Sequence, residues 1–146
     1  MERKDWLLLY LAVPFTEPPQ PIDPIRIMKG MFLFAKKAGQ PPVETYEFEP
    51  YMYGPCSFQI YRDKDELQLQ GFLEPLLLPG QTWNLVRITS AGLSRAKQLA
   101  QVADKAALLH LETIKRQVMS LSFLDLLRTV YGEFPAYAVN SVVPSP

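Results

Sequence analysis

A chain of 146 residues is long enough for one hydrophobic core that buries roughly two-thirds of its unfolded surface. Its apolar fraction of 48% and charged fraction of 21% exclude a mostly disordered chain, and a formal net charge of zero excludes a global field that would draw it to nucleic acid or anionic lipid. A single cysteine excludes an intramolecular disulfide and fits a reducing cytoplasm.

The first predicted helix covers residues 2–13. Asp5 lies in its first turn, where a carboxylate favours the helix dipole. The run Trp6-Leu-Leu-Leu-Tyr-Leu is apolar nearly all round, which predicts burial. This run imitates the apolar part of a signal peptide behind Arg3 and Lys4. Glu2 and Asp5 within the charged part, and Pro14-Phe-Thr-Glu in place of a small-x-small cleavage site, argue against that reading. No apolar run reaches the ~20 residues that span a bilayer, so a cytoplasmic protein without membrane contact is expected. Prolines 14, 18, 19, 21 and 24 then make a stiff, extended connector.

Asp23-Pro24 reads as an N-cap followed by proline at the first helical position. Ile25, Met28, Phe32 and Ala35 recur at helical spacing, with Ile27, Met31 and Phe34 widening the stripe. Gly39 is the expected C-terminal stop. Over 40–50, Tyr46 and Phe48 alternate with glutamates, which predicts a short extended segment with its charged side outward. A third helix is expected from about Pro55 to Gln70, with Ile60 and Leu67 inward and Phe58, Tyr61 and Leu69 flanking. Lys64 falls where the stripe calls for an apolar residue, so its stem is expected to cover that surface. Two hairpin arms, Phe72–Leu78 and Trp83–Ile88, follow around Pro79-Gly80-Gln81-Thr82. Pro75 predicts an edge or a bulge in the first arm.

Thr89 is an expected N-cap for a helical region over roughly 90–120, either unbroken or divided at Asp104. Leu93, Ala96, Ala100, Ala103, Ala107, Leu111, Ile114 and Val118 form a seam suited to close helix packing, and a homodimer through this seam is expected. Ser122 and Asp125 have capping-box spacing before a short last helix. Residues 136–146 are expected to fray.

The order of helix, hairpin and helix predicts an α+β, mainly helical fold: a winged helix-turn-helix with a β-hairpin wing and additional C-terminal helices. One domain is expected over 1–146, with its core over about 1–92 and a helical extension over about 93–135. In such a fold the third helix enters the major groove and the wing touches the backbone. Ser57, Gln59, Arg62, Gln81, Thr82 and Arg87 are therefore the candidate DNA-contacting residues. Charge argues against DNA. Residues 38–79 carry two basic and seven acidic groups, and Asp63, Asp65 and Glu66 lie on the candidate reading helix itself. Residues 80–119, with six basic and two acidic groups, keep the DNA reading open.

The dense aromatics Tyr46, Tyr51, Tyr53, Phe58 and Tyr61 suit a protein partner, although clusters of this kind more often belong to a core. No catalytic residue, metal ligand set or cofactor is expected. Cys56 and His110, each the single residue of its type, lie on different predicted elements without a third group to orient them. Near a predicted helix start, the Cys56 thiolate is expected to be somewhat favoured.

Tyr53-Gly-Pro-Cys-Ser57, with Phe48 upstream and Leu67 to Gly71-Phe-Leu downstream, resembles two related groups: the Panacea or SocA-like domain of antitoxins and of a protease adaptor, and the uncharacterised prokaryotic YwgA-like winged-helix proteins. The resemblance extends to Trp6-Leu-Leu-Leu-Tyr-Leu, to Pro24-Ile-Arg-Ile-Met-Lys-Gly-Met-Phe-Leu, to Ile88-Thr-Ser-Ala-Gly92, and to Leu124, Leu126, Leu127, Val130 and Tyr131 with Phe134-Pro135. It departs at Lys64 and in the long proline connector. It implies a small, non-enzymatic regulatory or interaction protein that binds a partner protein. A dimeric DNA-binding transcriptional regulator is the alternative.

Overall fold

Helix α1 (Arg3–Ala12) is the post around which the other elements gather. Every residue from Trp6 to Ala12 is buried, because α3, α4, α5 and the second hairpin all pack against it. A helix surrounded on all sides must be apolar all round, and this one is. The structure, a computed structural model, describes residues 1–38, 44–80 and 83–142.

Helix α2 (Pro24–Ala38) starts as expected: the Asp23 carboxylate accepts the Arg26 amide at 2.8 Å. Its side chain Phe32 anchors an aromatic cluster with Phe48, Phe134 and Tyr137, at centroid distances of 5.3, 4.9 and 4.7 Å. The expected stop at Gly39 lies outside the described residues.

Strands β1 (Glu49–Tyr51) and β2 (Gly54–Cys56) form a short antiparallel hairpin, with Gly54 opposite Tyr51 and Cys56 opposite Glu49. This corrects the expected helix start at Pro55, which sits inside β2. Pro50 lies opposite Pro55, so at that pair neither strand has an amide for the other to meet. Gly54 takes φ +93°, which a residue with a side chain rarely adopts, and a Cβ there would lie 2.8 Å from the Tyr131 ring. The helix begins later, with Ser57 as N-cap of α3 (Phe58–Leu69). Leu69, expected to flank the inner face of α3, is 88% exposed.

Strands β3 (Leu73–Leu76) and β4 (Leu85–Ile88) make the second antiparallel hairpin. Pro75 is accommodated on β3, which among the described residues pairs only with β4, and Ile22 bridges the far side of β4 through two backbone bonds with Val86.

The region 90–120 divides at Asp104 into α4 (Ser90–Val102) and α5 (Lys105–Ser120), because the Asp104 carboxylate caps the Ala107 amide at 2.9 Å. Helix α6 (Phe123–Glu133) is capped by Ser122, whose hydroxyl accepts the Asp125 amide. Of the tail expected to fray, the described part up to residue 142 packs on the fold, and 143–146 lie outside the described residues. A 3-10 turn over Pro135–Ala138 packs beside β1, and the Val142 amide donates to the Met52 carbonyl at 2.8 Å.

The seam expected to join two copies faces inward. Leu93, Ala96, Ala103, Ala107, Leu111, Ile114 and Val118 are buried, and Ala100 packs against the same cluster. Helix α4 lies on α1, and α5 lies on α2, so the alanines bring helices of one chain together. The architecture is α+β and mainly helical, with two small hairpins.

Candidate interaction surface

The turn between β1 and β2 and the first turn of α3 build one exposed aromatic ridge. Tyr51, Tyr53, Phe58 and Tyr61 are 43%, 41%, 48% and 39% exposed, and Met52 at the hairpin tip is as open. The rings brace one another: Tyr51 meets Phe58 edge-on at 5.4 Å, Phe58 tilts against Tyr61 at 6.3 Å, and Tyr53 meets Phe123 of α6 at 5.9 Å. Side chains held this way lose little freedom when something binds them. The Lys64 ammonium lies over the Tyr61 ring at 5.5 Å, a cation–π contact on the ridge.

The fifth aromatic expected on this surface is not there. Tyr46 is buried, its hydroxyl donating to the Asp63 carboxylate at 2.5 Å. Burial and the facing carboxylate push its phenol well above the usual tyrosine range. Tyr46 and Phe48 point inward while Glu47 and Glu49 face solvent, as the alternation predicted, although the strand itself begins only at Glu49.

Beneath the ridge lies a buried cation. Lys29 of α2 is 2% exposed, and its ammonium donates to the Pro55 carbonyl at 3.0 Å, tying β2 to α2. Burial lowers its pKa to about 8, with the Cys56 thiol pulling weakly the other way. Cys56 is itself buried, and burial pushes its thiol up, Lys29 only partly opposing this. Desolvation thus overrides the favoured thiolate expected of a cysteine at a helix start. His110 sits on α5 with its ring tilted against Phe34 at 6.3 Å. Among the described residues, no group of three or more His, Cys, Asp or Glu side chains is gathered for a metal.

Of the four candidate DNA contacts among the described residues, Ser57, Gln59 and Arg62 line one shallow pocket at the start of α3, and Arg87 lies apart on the second hairpin. Ser57 is 4% exposed. Gln59 accepts a hydrogen bond from Arg3. Arg87 is held by Glu74 across the second hairpin at 2.7 Å. Gln81 and Thr82 lie outside the described residues. Of the four described, Arg62 is the exposed one. The acidic groups of α3 are also partly occupied: Asp63 takes the Tyr46 hydroxyl, and Glu66 pairs with Lys4 at 3.0 Å. Around the tip of the second hairpin, Leu77, Leu78 and Trp83 are exposed, at 72%, 42% and 50%. These described flanks of the tip are apolar where a phosphate-binding loop would be basic.

Sequence reasoning had not singled out Lys29 or Met52. The signal for Lys29 was there: its helical neighbours Ile25, Phe32 and Leu33 are apolar, which makes a solvated ammonium at that position hard to place.

No protein-family model matches the chain, and no curated protein matches it in sequence. No described helix is long and apolar enough to cross a membrane.

Proposed function

We propose that this chain is a non-enzymatic, winged-helix-type interaction protein that binds a partner protein through the ridge of Tyr51, Met52, Tyr53, Phe58 and Tyr61. One observation carries the reading: of four aromatic side chains each about 40% exposed or more, Tyr51, Phe58 and Tyr61 are braced against one another and Tyr53 against Phe123, beside the start of the helix that a DNA reader would place in the groove. Braced exposed aromatics are the usual anchors of interface cores. In this reading β3–β4 is the wing, and the apolar flanks of its tip add to the protein-facing character. The short motifs shared with Panacea/SocA-like and YwgA-like proteins point the same way, toward an antitoxin-like or adaptor-like role in the cytoplasm.

A photo-crosslinking residue at position 61, used in the native cell, tests this. The expected product is one discrete protein adduct, absent with the crosslinker at Lys97 and lost in a Phe58→Ser background.

The transcriptional-regulator reading keeps one supporting observation, the exposed Arg62 beside the α3 start. Titration against mixed-sequence duplex DNA at low and moderate salt separates the two. Salt-sensitive binding abolished by an Arg62→Ala, Arg87→Ala pair would sink the protein-partner reading, and absence of binding at low salt removes the regulator.

A further inference from the structure

A cavity of about 380 Å³ opens on the side of the molecule formed by the end of α1, the proline segment that follows it, and the last two turns of α5. Its wall is mostly apolar, with Val13, Pro14, Pro19 and Met119 prominent. The volume falls in the lower part of the range of small-molecule sites, about 300–1,000 Å³.

One charged side chain in that wall is nearly sealed from solvent. Lys115 is 8% exposed, and its ammonium donates to the Leu11 carbonyl at 3.0 Å. That carbonyl belongs to the last turn of α1, whose helical partners run out at Pro14, so Lys115 caps the helix from outside. An ammonium has three donors, and capping uses one. The Tyr10 ring lies 5.7 Å from the nitrogen and supplies a face rather than an acceptor.

Among the described residues, Lys115 has no paired counter-charge. Glu112 and Arg116 of α5 also line the cavity, but they pair with each other at 3.3 Å. Glu17 of the proline segment reaches toward Lys97 at 3.9 Å, and on α2 Arg26 pairs with Asp23 at 2.6 Å. No carboxylate among the described residues pairs with Lys115, and burial alone pushes its ammonium down to about 8. A buried cation without an anion is costly, and a ligand that brings one recovers that cost.

We propose that this cavity is a binding site for a small amphiphilic monocarboxylate, its carboxylate on Lys115 and its apolar body against Val13, Pro14 and Met119. One charge is the right count, since among the described residues of the wall Lys115 is the cation that no carboxylate pairs, Arg116 being paired with Glu112. The site is separate from the aromatic ridge and stands or falls independently of it.

Octanoate is the probe and octan-1-ol its neutral counterpart, each titrated calorimetrically into the full chain at pH 7. Octanoate is expected to bind at least tenfold more tightly than octanol. The Lys115→Met variant, which keeps the stem and removes the charge, is expected to lose that tenfold preference while still binding octanol. Should that variant fail to fold by circular dichroism, a pH series on the unaltered protein decides. Octanoate affinity is then expected to fall about tenfold between pH 7 and 10 as the ammonium is discharged, with octanol affinity flat. No octanoate binding at millimolar concentration, an undiminished preference in Lys115→Met, or a flat octanoate series would each overturn the proposal.

Discussion

Gly92 in the first turn of α4 passes so close to Phe72 that a Cβ on it would sit 2.2 Å from the Phe72 carbonyl oxygen. That carbonyl accepts the Thr89 amide at 3.0 Å, and the Thr89 hydroxyl both accepts from the Gly92 amide at 3.1 Å and donates to the Gly71 carbonyl at 2.7 Å. The Ile88-Thr-x-x-Gly92 motif is therefore a joint between the end of α3, the second hairpin and α4. Because the obstacle is backbone, it cannot swing aside. Gly92→Ala is expected to cost about 3 kcal/mol. Thr89→Ala, which removes a cap, should cost about 1–2 kcal/mol. Urea unfolding of both variants checks the order.

The Tyr46–Asp63 bond joins the segment before β1 to α3. Tyr46→Phe leaves the ring in place and removes a charge-assisted hydrogen bond, so a loss of about 1.5–3 kcal/mol is expected. Phe58→Ser, on the exposed ridge, should cost less than Tyr46→Phe because it gives up little more than a surface ring contact. A reversed order in thermal melts would contradict the inward placement of Tyr46.

Two buried lysines set an alkaline shift in stability. Lys29 and Lys115 are held to about 8 in the folded chain, against an ordinary value near 10.5 when unfolded. Between these values the unfolded chain binds the extra proton, so stability rises with pH as each lysine discharges. Cys56, Tyr10 and Tyr46 are all raised by burial, which reverses the trend once their unfolded forms ionise, above about 9 for the thiol and 10 for the phenols. The exposed Lys4–Glu66 pair raises Lys4, and that contribution fades only above about 10.5. Unfolding free energy is expected to climb by about 1 kcal/mol or more from pH 7 to a maximum near pH 9. Lys29→Met and Lys115→Met should each flatten the climb.

Leu111 separates the two readings of the α4–α5 seam. It is fully buried between helices of its own chain. Leu111→Asp is therefore expected to unfold the chain, because an unpaired carboxylate in that core costs several kcal/mol. A folded variant that merely changes from dimer to monomer in light scattering would restore the seam as an interface.

Helix positions were legible from the sequence where spacing and caps agreed. Asp23, Thr89 and Ser122 each marked a true helix start, whereas the choice between an unbroken helix and a division at Asp104 stayed open until the structure showed the division. The β1–β2 hairpin was not legible, because Gly-Pro after a tyrosine serves a turn, a helix start or a strand equally well. What decides it is distant in sequence: the Lys29 ammonium on the Pro55 carbonyl and the Tyr131 ring against Gly54. The same limit applies to the seam. An alanine-rich stripe states that something packs closely there, and cannot state whether the neighbour belongs to the same chain. Four of the five aromatics named as a partner surface are exposed, yet Tyr46 and Ser57 show that an element's spacing alone does not separate an outward residue from one turned under its neighbour.

A hairpin of three residue pairs is too short to hold itself together in water. Its other supports come from the far end of the chain. Val142 bonds to Met52, Asn140 reaches Pro50, and Tyr131, against which Gly54 rests, shares a hydrogen with Ser141. The last described turn thus works as a clasp on the aromatic ridge. Hydrogen exchange at the hairpin amides should follow release of 135–142 rather than global unfolding. Trimming the chain at residue 134 would blunt the surface without touching a single residue in it.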